Sequence, residues 1–466
     1  MKKLIPQAIK NIYHLLQAIL ANVWYGFPSR KLKVIGVTGT NGKTTTVQMI
    51  AKILEEAEHK IAVASTINFK IGEKEWVNKS KFTTLSSWAL QKFLKQAVSA
   101  GCEYAVVEVS SHSLDQNRAW GVDFDVAVIT NVTREHLDYH ETMEEYAKVK
   151  SKLFYLASKK SDGVSIVNLN MEFADMFLRY GAKKKFGYFL ESQNPNCVLD
   201  QRLKMEVARG IKLTLGGSEF SINGQKFLLN IPGEFNIENA LAATCVGLSQ
   251  GVKIEKMSVA LKGMQGVPGR MEKIENDRDL NIIVDYAVTP DSLEKLYSYI
   301  GEMAKRSDRA ATEESGRTSK IIAVFGSCGE RDRGKRPIMG EIVAKKADYC
   351  IVTNEDPYNE SPVQIINEVF EGVVGRKVEE QIQNFQFSIF NFQTISNDQI
   401  SKLKTEGENA FRILDRREAI KTALQIAKPG DIVVVTGKGA EEMMAVGDRR
   451  IPWNDPKIIR EVLREI

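Results

Sequence analysis

The chain has 466 residues, 43% of them hydrophobic and 26% charged, a composition that excludes a disordered or fibrous protein and predicts about three domains. The net charge of +5 comes from basic residues spread along the chain, so nucleic-acid binding gains no support. The five cysteines form no CxxC pair, and we expect reduced thiols in a cytoplasmic protein.

The first predicted element is an amphipathic N-terminal helix. Its apolar residues recur at spacings of three and four: Ile5, Ile9, Ile12, Leu16, Ile19 and Val23. Polar residues interrupt this pattern too often for a membrane span, and no signal-peptide cleavage site follows it. Two interpretations stay open: a helix packed on its own protein or a partner, and a helix lying on a membrane surface.

The stretch "VIGVTGTNGKTTT" follows, a predicted buried strand that breaks into a glycine-bearing loop ending in Gly-Lys-Thr. Gly39 and Gly42 permit backbone N–H groups to face an anion. Lys43 can reach the terminal phosphates of a nucleotide, and the Thr44 hydroxyl can bind Mg²⁺. The pattern predicts a phosphate-binding loop, although Val37 stands where such loops have their first glycine.

Metal-binding candidates follow further strands. Glu108 ends the apolar run "YAVVE", His136 follows the strand "FDVAVI", and Lys150 lies on a predicted helix beyond it. A carboxylate and an imidazole suit a divalent metal beside a nucleotide. Each residue alone is more often a solvated surface group, so the prediction depends on their occurring together with the loop.

The remaining pattern predicts the domain organisation. Apolar β-branched runs alternate with helices from Lys33 onward, which indicates parallel α/β architecture. A different texture covers about residues 187–232, where IKLTLGG and EFSINGQKFLLNI look like antiparallel hairpins. A helix stops near Gly251, and a second α/β series contains a helix capped by Thr289. Polar insertions cover about residues 305–320 and 377–409. We predict an N-terminal helix (1–32), a nucleotide-binding domain (33–268) and a C-terminal domain (269–466).

An ordered series of motifs then carries a family resemblance: GTNGKTT, EVSSH, REHLDYH, YAKVKSKLF, GEFNIENALAA, GRME, DYAVTPDSL, GERDRGKRP and GKGAE. The chain resembles the Mur ligases, most closely the branch that adds the third amino acid of the peptidoglycan stem. The resemblance implies a central P-loop domain with a parallel sheet and a Rossmann-like C-terminal α/β domain. It also implies an ATP-dependent acid–amino-acid ligase acting through an acyl phosphate, with two Mg²⁺ ions and a carbamylated Lys150.

The resemblance further implies roles for individual residues. Catalysis is assigned to Lys43, Glu108, His136 and Lys150, and metal binding to Thr44, Glu108, His136 and Lys150. The ATP contacts are Gly39, Thr40, Asn41, Gly42, Lys43, Thr44, Thr45, Asn131, Asn236, Asn239, Arg270, Asp285 and Lys335. The acceptor contacts are Thr83, Thr84, Ser110, Gln116 and Arg118. The amino-acid contacts are Arg331, Glu355, Asp356, Tyr358, Gly437 and Glu441.

Several departures leave questions open. About 32 residues precede the loop strand, where the family has a domain that holds the uridine of the substrate, so the acceptor is either UDP-linked, held by a partner, or lipid-linked. Val288 and Ala440 replace two family histidines. Tyr358 stands where an arginine binds the second carboxylate of diaminopimelate, and we expect lysine or ornithine at an acidic site instead.

Two alternatives to this reading remain. One is a folylpolyglutamate-type or other Mur-type ligase with a different, non-UDP acceptor. The other is an ATP-binding partner subunit without catalytic activity. Acceptor-dependent and amino-acid-dependent ATP hydrolysis distinguishes an enzyme from such a subunit.

Overall fold

The computed structural model describes residues 6–79, 83–193, 203–311, 318–375 and 409–466. The chain divides into two compact units, Met1–Val267 and Pro268–Ile466, each with its own sheet. The predicted insertion at 377–409 lies outside the described residues except for its last position. Within the described ranges, no helix combines the length and apolar character that crossing a bilayer requires.

The N-terminal unit is a helix-covered sheet that has eleven strands among the described residues. The strands are β1 (Lys33–Thr38), β2 (Ile61–Ala64), β3 (Asn68–Ile71), β4 (Lys74–Val77), β5 (Tyr104–Glu108), β6 (Phe124–Ile129), β7 (Val164–Asn168), β8 (Lys184–Leu190), β9 (Leu203–Thr214), β10 (Gly217–Ile222) and β11 (Gln225–Leu229). The helices are α1 (Gln7–Tyr25), α2 (Lys43–Glu56), α3 (Ser87–Ser99), α4 (Ser111–Asp115), α5 (Leu137–His140), α6 (Met143–Ser158), α7 (Ala174–Leu178), α8 (Glu234–Ser249) and α9 (Ile254–Lys262), with a 3₁₀ turn at Pro28–Lys31.

The strand order is β11-β10-β9-β8-β7-β6-β1-β5-β2-β3-β4. The strands from β9 to β2 in that order pair in parallel, and both edges end in antiparallel hairpins. The predicted α/β class is confirmed. The two predicted hairpins are confirmed, since β10 pairs in antiparallel fashion with both β9 and β11. The region of different texture begins earlier, at Gly187, but β8 there pairs in parallel with both β7 and β9.

Burial explains why the central strands read as continuous apolar runs. Strands β5 and β7 are buried along their whole length, as expected for a parallel sheet covered on both faces. Helices α3 and α6 share one apolar cluster with alternate residues of β1 and β5, whereas α2 packs against α8. The sheet is therefore a rigid base for the loops at its carboxyl edge.

The C-terminal unit holds a sheet that has six strands within its described ranges, in the order β12-β13-β17-β14-β15-β16, parallel except for β12. Its strands are β12 (Glu272–Ile274), β13 (Asn281–Asp285), β14 (Ile321–Phe325), β15 (Tyr349–Thr353), β16 (Ala410–Ile413) and β17 (Ile432–Thr436), and β18 (Met443–Val446) pairs with β19 (Arg449–Pro452). Its helices are α10 (Pro290–Ala311), α11 (Lys335–Ala344), α12 (Pro362–Val374), α13 (Arg416–Ile426) and α14 (Asp455–Glu465). The predicted Thr289 cap is confirmed: its hydroxyl accepts a hydrogen bond from the Ser292 N–H at 3.1 Å.

Candidate functional site

The glycine-bearing loop lies at the carboxyl edge of the central sheet. Strand β1 lies between β5 and β6, and residues 39–42 connect it directly to helix α2. The carboxyl ends of these three parallel strands meet at one edge, which places the loop beside Glu108 and Thr130. The start of α2 adds its positive dipole end to the same place.

Two positions of the loop require glycine. Gly39 has φ +149°, and a Cβ there would lie 1.9 Å from the Thr130 Oγ1. Gly42 has φ +81°, and a Cβ there would lie 2.3 Å from the Asn239 Oδ1. Both glycines therefore combine a left-handed backbone with close packing that any side chain would prevent.

The rest of the loop is held by residues that follow β6. The Asn41 N–H donates to the Asn131 Oδ1 at 2.9 Å, and the Thr130 hydroxyl donates to the Asn41 carbonyl at 2.6 Å. The Thr40 N–H donates to the Asn131 carbonyl at 2.9 Å. The loop is thus preformed by the protein itself, and Thr45 is buried in the first turn of α2.

Two lysine side chains contact the same loop. The Lys43 Nζ donates to the carbonyls of Gly39 at 3.1 Å and Thr40 at 2.8 Å. The Lys150 Nζ donates to the same Gly39 carbonyl at 2.8 Å and lies 4.3 Å from the centre of the Tyr146 ring. Burial lowers the pKa of Lys150 well below its ordinary value, and the nearby Lys43 charge lowers it further, against an opposing effect of Glu135.

Thr44 and Glu108, whose side-chain oxygens suit Mg²⁺, lie in contact beside the loop. The Thr44 Oγ1 donates to the Glu108 Oε2 at 3.0 Å, and Glu108 is buried. Thr66 donates to both carboxylate oxygens of Glu108, through its N–H and its hydroxyl, at 2.9 Å. A hydroxyl and a carboxylate in contact fit a hard divalent cation, so the residues present are compatible with the Mg²⁺ that the family implies.

His136 stands further along the same edge, with its backbone in the left-handed region at φ 55°. Its ring packs 4.7 Å from the His112 ring and 6.3 Å from the Tyr146 ring, the ring that Lys150 covers. In the described ranges, no three His, Cys, Asp or Glu side chains group together as metal ligands. Of the four predicted metal ligands only Glu108 and His136 belong to these residue types, so metal binding by the set stays a prediction.

Asn236 and Asn239 lie buried in the first turns of α8 and serve the protein's own packing. The Asn236 amide donates to the Pro232 carbonyl at 2.7 Å. The Asn239 amide donates to the Asn236 Oδ1 at 3.2 Å and accepts from the Thr46 hydroxyl at 3.2 Å. The Asn236 contact is a local one at the start of α8, and the Thr46 contact ties α8 to the first turn of α2.

The predicted acceptor residues form a cluster beside Glu108. The Thr84 hydroxyl donates to the Glu108 carbonyl at 3.1 Å and accepts from the Ser110 N–H at 2.8 Å. Arg118 donates to the Thr84 carbonyl at 3.2 Å. The remaining two are peripheral: Thr83 is half-buried, and Gln116 ends α4 and hydrogen-bonds Tyr139.

The predicted residues of the C-terminal unit gather at the carboxyl ends of its strands. Asp285 ends β13 and accepts backbone hydrogen bonds from Met271 and Ala287, both at 2.8 Å. Burial raises the pKa of Asp285, and Arg270 opposes that effect. The Lys335 Nζ, also buried, donates to the Val288 carbonyl at 2.9 Å.

The acidic site expected for a substrate ammonium already contains a lysine. The fully buried Lys438 donates to the Asp356 Oδ2 at 2.9 Å and to Glu441. Burial opposes its charge, yet these two carboxylates raise the pKa of Lys438 above its ordinary value. The sequence analysis missed Lys438, although it lies inside the quoted GKGAE motif.

Glu355 is the carboxylate of this cluster that keeps an available oxygen. Its Oε2 is buried and, within the described part of the chain, has no hydrogen-bond partner. Gly437 makes room for it, since a Cβ at that position would lie 2.3 Å from the Oε2. Burial raises the pKa of Glu355 to about 7, although Arg416 opposes the shift.

We expect Glu355→Gln to stabilise the C-terminal unit at mildly alkaline pH. Between pH 4.5 and about 7 the folded carboxyl keeps a proton that the unfolded chain releases, so the free energy of unfolding falls as pH rises. The fall amounts to about 3 kcal/mol and should vanish in the variant. Hydrogen exchange of the β13–β17 amides across this pH range measures it, with Glu371→Gln as control; an unchanged pH dependence would contradict the assignment.

Two arginines approach the ring of Tyr358. The Arg331 guanidinium lies 5.6 Å from the ring centre, and the Arg450 guanidinium lies 5.4 Å from it. Tyr358 has φ 51°, and its N–H donates to the Ala445 carbonyl at 3.2 Å, which ties it to the β18–β19 hairpin. Arg331 was predicted from the sequence and Arg450 was not, because backbone pairing between distant segments brings the hairpin to Tyr358.

Comparisons with known proteins identify the family. The Mur ligase middle domain model matches residues 37–247, and the Mur ligase glutamate ligase domain model matches residues 269–439. The chain belongs to the Mur ligase family. It is 34% identical over 459 residues to UDP-N-acetylmuramoyl-L-alanyl-D-glutamate--2,6-diaminopimelate ligase of Syntrophomonas wolfei, covering 96% of this chain and 81% of that one. It is 36% identical over 467 residues to UDP-N-acetylmuramyl-tripeptide synthetase of Roseiflexus, covering 96% and 82%.

Solved structures agree with this membership. A structure of UDP-N-acetylmuramoyl-L-alanyl-D-glutamate--2,6-diaminopimelate ligase superposes with a TM-score of 0.54 at 28% identity, covering 93% of this chain and 78% of that one. Folylpolyglutamate synthase of Mycobacterium tuberculosis, at 15% identity and a TM-score of 0.65, shares the fold. As a Mur ligase, the protein is an ATP-dependent, Mg²⁺-using amide ligase of peptidoglycan biosynthesis.

Proposed function

We propose that this Mur ligase joins the free carboxyl group of a UDP-linked muramoyl dipeptide to an amino group of a diamino acid at the expense of ATP. The observation that carries the proposal is the meeting of Lys43, Lys150 and the Thr44–Glu108 pair at one loop. The names of relatives that cover nearly the whole chain supply the acceptor class. The Thr84–Ser110–Arg118 cluster, adjacent to Glu108, would hold the acceptor.

The ATP phosphates would lie in the loop formed by residues 39–42. Its N–H groups and the start of α2 favour a polyanion, and Lys43 exchanges its two carbonyl contacts for the terminal phosphates. Phosphoryl transfer requires little covalent help from a protein, so catalysis depends on positioning and positive charge. Bound Mg²⁺, held by Thr44 and Glu108, would supply further positive charge beside the phosphates.

Lys150 would react with CO₂ to form a carbamate. Only a neutral amine attacks CO₂, and the lowered pKa of this buried lysine favours its neutral form. The product carries oxygen atoms instead of an ammonium group, so the lysine becomes an anionic ligand next to Gly39. His136, beside Tyr146, would complete this ligand group.

The acceptor carboxylate would then attack the γ-phosphate, and ADP leaves. The resulting acyl phosphate is attacked at its carbon by the neutral amine of the diamino acid, and phosphate leaves with the former carboxylate oxygen. Lys43 would stabilise the negative charge on the phosphoryl group while it passes from ATP to the acceptor carboxylate. The chemistry requires that the amine attack only after the acceptor has been activated.

The amino acid that the C-terminal unit fits best is diaminopimelate, which revises the sequence expectation of lysine or ornithine. Lys438 already pairs with both Asp356 and Glu441 and compensates one of their two negative charges, so these carboxylates attract a second ammonium less strongly than the sequence expectation assumes. Arg331 and Arg450, both beside Tyr358, offer positive charge for two carboxylates, and Glu355 offers one oxygen for an ammonium. The curated relatives named for diaminopimelate agree with this choice.

We expect Arg450→Ala to raise the KM for diaminopimelate about tenfold while leaving the KM for ATP unchanged, because a lost charge-assisted hydrogen bond weakens binding by about that factor. Steady-state phosphate release at varied diaminopimelate measures it. Arg449→Ala removes the neighbouring charge of the same hairpin and serves as the matched control. Equal KM values for diaminopimelate in both variants would show that Arg450 does not bind this substrate.

The function itself is tested by phosphate release with candidate acceptors crossed with diaminopimelate, lysine and ornithine. Release that requires both an acceptor and an amino acid, with a product heavier by that amino acid, supports a ligase. Preference for lysine over diaminopimelate would restore the sequence expectation. Absence of phosphate release with every combination of substrates would favour an ATP-binding subunit without catalytic activity.

A further inference from the structure

Helix α1 presents an apolar face to solvent, the reverse of an ordinary surface helix. Seven of its large apolar side chains are exposed, by between 55% and 76%: Ile9, Ile12, Tyr13, Leu16, Leu20, Val23 and Trp24. At 100° per residue these positions fall within one third of the helix circumference. We call them the α1 stripe.

Polar contacts on the opposite side fix this orientation. Gln7 donates to the Tyr139 hydroxyl at 2.7 Å, Asn11 donates to the Asp115 Oδ2 at 3.2 Å, and Asn22 donates to the Trp120 carbonyl at 2.8 Å. Ala18 and Ala21 are fully buried on the same side. Rotating the stripe inward would break these hydrogen bonds, so the fold itself holds the stripe exposed to solvent.

Aromatic residues extend the stripe at its carboxyl end. The ring of Trp24 lies 6.5 Å from that of Trp88, and Trp88 and Trp120 are both about two-fifths exposed. Tryptophan combines an apolar body with a polar N–H and is enriched where proteins meet the interface of a bilayer. Contiguous exposed apolar surface of this kind marks an interaction site.

The charge of the segment selects the partner. Residues 1–33 contain six of the 64 basic residues and none of the 59 acidic residues of the chain: Lys2, Lys3, Lys10, Arg30, Lys31 and Lys33. The other residues of the chain are nearly neutral overall. An apolar stripe within a purely basic segment complements a surface whose anionic outer layer covers an apolar interior.

We infer that the α1 stripe docks the protein on the interfacial zone of an anionic phospholipid bilayer. The helix would lie in the plane of the membrane with the stripe inserted among the acyl chains and the lysines among the headgroups. This is contact with one leaflet, consistent with the lack of a bilayer-spanning helix in the described ranges. The inference does not depend on the ligase reaction.

Sedimentation of the full-length protein with vesicles tests the inference. We expect binding to phosphatidylcholine vesicles that contain phosphatidylglycerol, and weaker binding at high salt or without the anionic lipid. Leu16→Glu should reduce the vesicle-bound fraction about tenfold, since it places a charge in the inserted stripe. Val259→Glu, at a position of α9 with the same exposure, adds the same charge elsewhere and should bind like the parent.

Other occupants of the stripe give different results. If the stripe joins two copies of the chain, light scattering should show a dimer that Leu16→Glu dissociates, without vesicle binding by the parent. That result, or equal vesicle binding by Leu16→Glu and Val259→Glu, would overturn the inference. Both measurements are independent of catalytic activity.

Discussion

Lys43→Met should reduce amino-acid-dependent phosphate release by about a thousandfold, the largest effect that we expect from a single substitution. The Lys43 Nζ contacts two carbonyls of the loop in which the phosphates would lie, so its charge would stabilise the transferring phosphoryl group. Methionine keeps the length of the side chain and removes its charge. Steady-state phosphate release at saturating ATP measures the loss in kcat.

Lys52→Met is the matched control, because Lys52 lies on the same helix and is exposed to solvent. It removes the same charge from α2 at a distance from the loop and should retain the parental kcat. If Lys52→Met lost as much activity as Lys43→Met, the effect of Lys43 would be one of helix stability. Unchanged thermal unfolding of both variants separates the two explanations.

Lys150→Met should lower kcat by about a hundredfold while making the folded protein more stable. The loss follows from removing the proposed carbamate, and activity of the parent should fall when CO₂ is stripped from the buffer. Methionine cannot form a carbamate, so the remaining activity of the variant should not respond to bicarbonate. Phosphate release with and without added bicarbonate measures both effects.

The gain in stability follows from the pKa of Lys150. The folded pKa lies well below the ordinary value of 10.5, so at pH values between the two the unfolded chain binds a proton that the folded chain lacks. This costs folding free energy, and the cost diminishes as pH rises toward 10.5. In CO₂-free buffer, Lys150→Met should therefore raise the melting temperature most at neutral pH and least at alkaline pH. Lys148→Met, at an exposed position of the same helix, should change neither kcat nor the melting temperature.

Local sequence patterns were sufficient to predict the loop and its strand. Gly39, Gly42 and Lys43 carry their roles within one short stretch, and the apolar runs of β5 and β6 place Glu108 and Asn131 at the same sheet edge. Parallel pairing brings the ends of such strands together whatever lies between them in the chain. For this reason the predicted fold class and the grouping of the loop with Glu108 could be reached without coordinates.

Contacts between distant segments could not be read from the sequence. Lys438 meets Asp356 across 82 positions, and Arg450 reaches Tyr358 only through a hairpin pairing. The outward direction of the α1 stripe also escaped prediction, because helical periodicity shows that one face is apolar and not which face packs inward. The pairing of Asp356 with Lys438 escaped prediction for this reason, since the two residues come from different segments of the chain.

The central claim is that an acid is activated by phosphorylation before it meets an amine. Transfer of heavy oxygen from a labelled acceptor carboxylate into the released phosphate tests this most directly. The proposed route predicts one labelled oxygen atom in each phosphate released, read by mass spectrometry, and no label in ADP. Unlabelled phosphate formed together with ligated product would contradict the acyl-phosphate route.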